Sequence, residues 1–169
     1  MPKEILKKRL EEIGIVHRQS VKLKSGESSD CYYDIKKVFG YPDTLNLIAD
    51  ELARFLSDGV TCVAGSGFGG LPIAAVIASK QSKKFIAIRE KTKSYGMGGN
   101  IEGYMPTKDD QIVVVDDVFD SGSSLRKTLA VLEKTGATVV SAVVVLKIGS
   151  TESPIPVNHI FTIEDLEQD

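Results

Sequence analysis

The segment from residue 112 to residue 124 constrains the fold of this chain more than any other. Four apolar residues, Ile112–Val115, lead directly into two adjacent carboxylates, Asp116 and Asp117. A turn with one glycine and three serines follows soon after, and a helical pattern of leucines begins at Leu125. A continuous apolar run is typical of a strand that is buried on both faces. The segment therefore predicts a buried strand that ends in two acids and turns into the N-terminus of a helix.

Similar apolar runs recur along the chain, and helical patterns separate them. We expect strands at 60–64, 85–89, 112–115, 139–146 and 159–163, and helices at 2–13, 42–56, 71–79 and 125–135. The alternation of buried strands with helices predicts an α/β fold, a doubly wound and mostly parallel sheet. Ligands of such folds bind at the carboxyl ends of the strands, where the two acids would lie.

The composition excludes several classes of protein. The formal net charge is −2, so general affinity for nucleic acid is not expected, and an anion site would need a local concentration of positive charge. No apolar stretch approaches the roughly 18 residues that a membrane span requires. Cys31 and Cys62 match no metal-ligand spacing and are expected to be reduced thiols. We therefore expect a cytoplasmic protein with no membrane and no nucleic acid as partners.

The residues around the predicted strand end suit a ligand that carries both phosphate and sugar groups. A helix N-terminus offers unpaired N–H groups and a positive dipole end to a phosphate. Gly122 lets the backbone come close, and the serine hydroxyls add donors. Two carboxylates would repel a phosphate, so they are better suited to sugar hydroxyls or metal-bound water. The same residues also fit an ordinary capped helix without a ligand.

Residues 90–111 have no apolar periodicity, and they contain four glycines together with Lys91 and Lys93. A long segment of this kind inside an α/β domain is typical of a functional lid. We interpret it as a flexible lid loop that closes over an anion, because its base is cationic and its glycines can act as hinges. The alternatives are a mobile surface loop and a protruding β-hairpin.

The run from Gly65 to Gly70 fits the dinucleotide fingerprint G-x-G-x-x-G, with Glu90 at the end of the next predicted strand. This makes a nicotinamide-binding protein a rival interpretation. Some 60 residues precede the motif, although the fingerprint usually opens its fold. Glu90 also lies between Arg89 and Lys91, a poor setting for an acid that binds ribose. The glycines could equally expose backbone N–H groups to a diphosphate or serve only the turn.

The segment 116–124 resembles the signature of the type I phosphoribosyltransferases, which bind 5-phosphoribosyl 1-pyrophosphate (PRPP) together with Mg²⁺. The resemblance implies that the paired acids bind the ribose hydroxyls and that the small-residue loop binds the 5-phosphate. It also implies that Gly67 contacts the pyrophosphate. The implied PRPP contacts in this segment are Asp116, Asp117, Val118, Phe119, Asp120, Ser121, Gly122, Ser123 and Ser124.

Further segments resemble the orotate phosphoribosyltransferases over nearly the whole chain. They are Lys24–Gly26, Tyr32–Lys36, Arg89–Gly96, Ile101–Gly103 and Phe161–Leu166. The resemblance implies one domain over residues 1–169, with a small N-terminal hood (1–40) at the base site and the lid at 90–111. It also implies that Lys24 lies near the pyrophosphate and the base, and that Tyr32 and Tyr33 pack beside the base.

The resemblance also implies how the lid works. Enzymes of this family are dimers, and the lid of one subunit reaches the pyrophosphate in the site of its neighbour. Arg89 and Lys93 would then be catalytic together with the two acids, and Lys91 and Tyr95 would contact PRPP. Glu90 stands where a second basic residue is common, and Tyr95 stands where histidine is common.

Two departures from the orotate pattern leave the acceptor base open. Asp120 stands where threonine is usual, and an acid there resembles the hypoxanthine/guanine phosphoribosyltransferases. Lys147 stands where the orotate enzymes carry the arginine of an Asp-Arg pair that binds the orotate carboxylate, and an ammonium cannot form the same bidentate contact. We expect orotate as the base, with Asp120 and Lys147 at the base site, although a negative Asp120 would repel the carboxylate of orotate. A purine phosphoribosyltransferase and a non-catalytic PRPP sensor are the alternatives.

Overall fold

The computed structural model describes residues 2–17, 21–22, 28–29, 31–93 and 99–167. The helices are α1 (Pro2–Ile13), α2 (Pro42–Ala53), α3 (Gly67–Lys80), α4 (Ser123–Leu132) and α5 (Ile163–Glu167), with 3₁₀ helices at Ile35–Gly40 and Glu133–Thr135. The strands are β1 (Val16–His17), β2 (Val21–Lys22), β3 (Ser28–Ser29), β4 (Tyr32–Tyr33), β5 (Cys62–Ser66), β6 (Lys84–Lys93), β7 (Gly99–Gly103), β8 (Gln111–Phe119), β9 (Thr138–Lys147) and β10 (Val157–Thr162). Within these residues, no helix is long and apolar enough to cross a membrane.

The predicted doubly wound and mostly parallel sheet is confirmed. Its six strands have the order β10-β9-β8-β5-β6-β7, and every neighbouring pair is parallel except β6 and β7. The short strands β1 and β4 pair antiparallel beside this sheet, as do β2 and β3. All five predicted strands are present, because continuous apolar runs identify strands whose two faces are both covered.

The two faces of the sheet carry separate apolar cores, as strand alternation requires. Val113 and Val115 pack in the core that contains residues of α1, α2 and α3. Ile112 and Val114 pack in the core that contains Leu125 of α4. Helices α3 and α4 therefore lie on opposite faces of the sheet.

The segment 90–111 differs from the expected unstructured lid. Strand β6 continues to Lys93, and β7 returns antiparallel to it, so Ile88 lies opposite Ile101. The hairpin alternative is thus correct for the base of this segment, whereas 94–98 lies outside the described residues. The hairpin could not be recognised in the sequence, because backbone pairing at a sheet edge does not require alternating apolar residues.

Several predicted helix ends are also displaced. Helix α2 ends at Ala53 rather than at 56, since the N–H groups of Phe55 and Leu56 bond to carbonyls three residues back. Helices α3 and α4 begin at Gly67 and Ser123, earlier than the apolar patterns indicate, because glycine and serine residues dominate their starts and add nothing to an apolar pattern.

At the amino end of β8, Asp110 is 4% exposed and accepts several hydrogen bonds. Its donors are the hydroxyl of Thr61 at 2.8 Å, the ammonium of Lys84 at 3.1 Å, the hydroxyl of Tyr104 at 2.9 Å and the amide of Thr107 at 2.9 Å. The amide of Thr107 is the main cause of an Asp110 pKa well below its usual range. This cluster ties the starts of the central strands together, at the end of the sheet away from the paired acids.

The glycines of the 65–70 run let α3 lie directly on the sheet. A Cβ atom on Gly70 would lie 2.3 Å from the carbonyl oxygen of Val115 in β8. A Cβ atom on Gly65 would lie 2.7 Å from that of Ala74 and 2.9 Å from the carbonyl oxygen of Gly70. Close packing between α3, β5 and β8 therefore requires these glycines, whatever ligand is bound nearby.

We predict that Gly70→Ala destabilises the protein, because the new methyl group would meet backbone rather than a side chain that could rotate away. The expected loss in the free energy of unfolding is about 1–3 kcal/mol, as for other overpacked sites. Urea denaturation measures this loss. Gly40→Ala is the matched control, since a Cβ atom there has nothing within 4 Å. Equal stabilities of the two variants would contradict the close-packing explanation.

Candidate active site

The paired acids lie where the direction of strand addition reverses. From β5 the chain passes through α3 to β6 on one side, and from β8 it passes through α4 to β9 on the other side. Strands β5 and β8 are neighbours, so their carboxyl ends flank a crevice between two helices that leave on opposite faces. Such a topological switch point is the usual ligand site of an open α/β sheet. Asp116 and Asp117 lie at this position, near the end of β8.

Asp117 is buried, and its carboxylate is held by contacts from three directions. Its Oδ1 accepts the amide of Val118 at 3.0 Å, and its Oδ2 accepts the ammonium of Lys36 at 3.2 Å. It also occupies the space beside Gly69, where a Cβ atom would lie 2.1 Å from Oδ1. The third glycine of the run is therefore required by the acid itself.

Asp116 has different neighbours. Its Oδ1 accepts the amide of Asp117 at 2.9 Å, and the nearby hydroxyl of Ser124 in α4 acts to lower the pKa of its carboxyl group. Burial, followed by the negative charge of Asp117, raises the pKa of Asp116 to about 7. The pair therefore holds a proton readily near neutral pH, and a cation or hydroxyl donor would favour its fully ionised form.

The turn after β8 has the geometry of an anion site. Gly122 has φ +69°, in the left-handed region that glycine adopts without strain, and it caps the first turn of α4. The amide of Ser123 donates to the hydroxyl of Ser121 at 3.4 Å. Phe119 is 4% exposed in the core, so it could offer only backbone groups to a ligand. The side chain of Val118 likewise packs against the core.

The hood residues occupy two different environments. The Tyr32 side chain is 37% exposed, whereas Tyr33 is 6% exposed and its hydroxyl donates to Glu167 at 2.7 Å. Alternation along β4 causes the difference, because neighbouring residues of a strand face opposite sides. Tyr32 can therefore meet a ligand, and Tyr33 is packed into the fold. Lys24 lies outside the described residues.

Other predicted residues lie around the same edge of the sheet. Gly67 begins α3 with φ +62° beside the end of β5. Lys147 is half-buried at the end of β9, opposite Phe119, and exposed Asp120 follows directly. The amide of Ile148 donates to the carbonyl oxygen of Phe119 at 2.8 Å, which keeps these two strand ends together.

The lid residues are described only in part. The Nε of Arg89 donates to the Glu102 carboxylate at 3.0 Å across the hairpin, and both side chains are exposed. An exposed pair of this kind contributes at most about 1 kcal/mol, so a ligand can displace it. The backbones of Lys91 and Lys93 belong to β6, and Tyr95 lies outside the described residues.

Three residues at this edge carried no predicted role. Lys36 contacts Asp117, the guanidinium of Arg126 donates to the carbonyl oxygen of Ser121, and Phe68 is 88% exposed at the start of α3. Arg126 could have been noticed from the sequence, since a basic residue in the first turn of a helix opposes the helix dipole. The pairing of Lys36 with Asp117 joins residues 81 positions apart and leaves no local pattern.

Comparison with known proteins agrees with this geometry. Residues 45–168 match the family described as phosphoribosyl transferase domain. The orotate phosphoribosyltransferase of Methanopyrus kandleri is 35% identical over 146 residues, which cover 86% of this chain and 78% of that protein. The enzyme of the same name from Thermococcus gammatolerans is 38% identical over 127 residues, which cover 73% of this chain and 67% of that protein. This chain belongs to the orotate phosphoribosyltransferase family.

A solved structure extends the family likeness to the fold. The crystal structure of orotate phosphoribosyltransferase from Aeropyrum pernix has a TM-score of 0.84 and 29% identity, and the match covers 95% of each chain. Because the chain belongs to a phosphoribosyltransferase family, the glycine run from Gly65 to Gly70 is not evidence for a nicotinamide-binding protein. Its glycines serve the left-handed turn at Gly67 and the close approaches to β8.

We predict that Asp116 makes the unliganded protein less stable as the pH rises from about 4 to about 7. The folded state binds the Asp116 proton more tightly than the unfolded state does, so stability is full below the unfolded pKa and is lost as the pH passes the folded pKa. Asp116→Asn should therefore gain stability relative to the wild type, by up to about 1.4 kcal/mol per pH unit in this range. Urea denaturation at several pH values measures the difference, and exposed Asp58→Asn is the control. Parallel stability profiles of wild type and Asp116→Asn would refute the prediction.

Proposed function

We propose that this protein transfers a phosphoribosyl group from PRPP to orotate, giving orotidine 5′-monophosphate and pyrophosphate for pyrimidine synthesis. The observation that carries the proposal is the paired carboxylate at the switch point, followed at once by a left-handed glycine and the N-terminus of α4. A single ligand with vicinal hydroxyls and a terminal phosphate fits both features. Relatives with the orotate name at 35% and 38% identity support the choice of base.

The ribose is bound by the two acids in this proposal. Asp116 and Asp117 accept hydrogen bonds from its 2′ and 3′ hydroxyls, which hold the sugar while positive charge develops on the ring. Positive charge for the departing pyrophosphate comes in part from Mg²⁺ that PRPP carries. Among the described residues, no three acidic, histidine or cysteine side chains group to hold a metal ion. Two adjacent carboxylates are suited instead to water molecules on a metal that arrives with the substrate.

The phosphate groups are bound by the turn and the glycine run. The backbone amides and hydroxyls of Ser121–Ser124 surround the 5-phosphate, since an anion at a helix N-terminus meets unpaired N–H groups. The pyrophosphate lies beside Gly67, where the backbone is uncovered, and near Lys24. Bond cleavage requires that water be excluded, because water would hydrolyse the activated sugar.

The base lies between the hood and the ends of β8 and β9. Exposed Tyr32 packs against the ring, and Lys147 attracts the orotate carboxylate as a point charge. Asp120 is exposed at the same edge and would repel that carboxylate. This repulsion favours one second candidate, transfer to a purine such as hypoxanthine or guanine.

An assay of pyrophosphate release with PRPP and Mg²⁺ distinguishes the candidates. Orotate, uracil, hypoxanthine, guanine, xanthine and adenine are tested in parallel, with Asp116→Asn as the inactive reference. We expect orotate to react with a kcat/KM at least about 100-fold above that of any purine, since only orotate brings a carboxylate to the ammonium of Lys147. Turnover of a purine instead would establish the second candidate. PRPP binding without turnover of any base would indicate a sensor.

We further propose a cytoplasmic homodimer in which the lid of one subunit serves the site of its partner. Residues 1–169 act as one domain, with residues 1–40 over the base. The hairpin formed by β6 and β7 lies at the edge of the sheet, where a partner subunit can approach it. Arg89, Lys91, Lys93 and Tyr95 would then reach the pyrophosphate of the neighbouring site.

Two separately inactive variants test this sharing. Lys93→Ala should lower kcat by about 100-fold or more, as the loss of one transition-state donor does. Asp117→Asn should be similarly impaired. When the two variants are unfolded together and refolded as a mixture, about a quarter of the wild-type activity should return, because half of the dimers have one intact site. Lys108→Ala, in an exposed turn, is the control. No recovery in mixed dimers would rule out sharing of the lid.

A further inference from the structure

Lys36 approaches the acidic end of β8 from a rigid part of the hood. It lies in the 3₁₀ helix Ile35–Gly40, and the flanking residues Ile35 and Val38 are fully buried in the core. The next residue, Lys37, turns the other way and donates to the carbonyl oxygen of Gly14 at 2.8 Å. The buried residues therefore fix the backbone from which the Lys36 side chain extends to Asp117.

The ion pair is asymmetric in its exposure. The Lys36 side chain is 43% exposed, whereas that of Asp117 is 12% exposed. Among the described side chains, Lys36 is the one in ion-pair contact with the acidic pair. Partial burial acts to lower the pKa of Lys36, but the neighbouring Asp117 carboxylate outweighs it and the pKa is raised, so the ammonium remains charged. Removing the lysine would leave a buried carboxylate without its cation.

The contacts of Asp117 leave it little freedom. One oxygen is fixed by the amide of Val118, the other by Lys36, and the carboxylate fills the space that the missing Cβ of Gly69 leaves open. The amide of Val118 lies on the same strand as Asp117, and Gly69 contributes space rather than a bond. Lys36 is thus the contact that reaches Asp117 from another element, and it also adds positive charge where a polyanionic ligand must meet two acids.

We propose that Lys36 is a positioning residue for phosphoribosyl transfer: it holds the Asp117 carboxylate beside Gly69 in the orientation that binds the ribose, and it offsets the repulsion between the acidic pair and PRPP. The inference rests on the proposed function. It assigns to the hood a role in binding the sugar as well as the base, because Lys36 and Tyr32 both belong to residues 1–40.

Lys36→Met keeps the length of the side chain and removes its charge, and Lys36→Arg restores a cation. For Lys36→Met we expect the KM for PRPP to rise by about 10- to 100-fold, the range for loss of one hydrogen bond to a charged group, with a much smaller change in the KM for the base. Lys36→Arg should recover most of the affinity. Lys80→Met is the matched control, since it breaks the Lys80–Asp50 pair of 2.6 Å on the far end of α3.

A double-mutant cycle separates positioning from a general effect on folding. In an Asp117→Asn background, Lys36→Met should change the KM for PRPP by less than about 3-fold, because the partner that it orients is no longer charged. Equal effects in the two backgrounds would overturn the proposal. So would a loss of stability in urea without a change in KM, or a Lys36→Arg variant as impaired as Lys36→Met.

Calorimetric titration of the protein with PRPP and Mg²⁺ in the absence of a base distinguishes a failure of the proposed function from a failure of the proposed role of Lys36. Wild-type protein that binds no PRPP would refute the proposed function itself. Wild-type protein that binds PRPP no more tightly than Lys36→Met does would refute only the role of Lys36.

Discussion

The close approach of α3 to the end of β8 is the constraint on which the rest of the site depends. Two adjacent carboxylates at a strand end repel each other, and burial raises the cost of charging them. The fold places one acid beside a glycine that has no Cβ, within reach of a backbone amide and of Lys36, and it places the other against a hydroxyl of α4. A side chain at position 69 would overlap the observed position of the Asp117 carboxylate. A side chain at position 70 would push α3 away from β8.

Topology explains why these groups can serve one ligand. Because α3 and α4 leave the sheet on opposite faces, the crevice between β5 and β8 opens at their carboxyl ends. The first turns of both helices and the two acids then lie at the same edge of the sheet, and Lys36 reaches the acids from the hood. The antiparallel hairpin at the sheet edge adds cationic residues without interrupting the parallel core. The buried Asp110 cluster secures the opposite ends of the strands, and the positive-φ glycines Gly67 and Gly122 lie at the end that carries the acids.

The order of strands and helices could be predicted from the sequence, since buried parallel strands are continuous apolar runs and the acids follow one of them directly. The hairpin of β6 and β7 at the base of the lid could not be predicted, because pairing at the sheet edge depends on the backbone rather than on side-chain periodicity. The glycine run was ambiguous: the same residues satisfy a dinucleotide fingerprint, a pyrophosphate turn and close helix packing. Which of Tyr32 and Tyr33 faces outward depends on strand register, and the Lys36–Asp117 contact depends on the assembled fold.

The acidic end of β8 is the proposed binding site of the ribose. The most direct test is a crystal structure of the protein with PRPP and Mg²⁺. We expect the 2′ and 3′ hydroxyls within about 2.5–3.2 Å of carboxylate oxygens of Asp116 and Asp117, with the 5-phosphate on the amides at the start of α4. A ribose bound elsewhere, with these carboxylates facing only protein and solvent, would contradict their proposed role in binding the sugar.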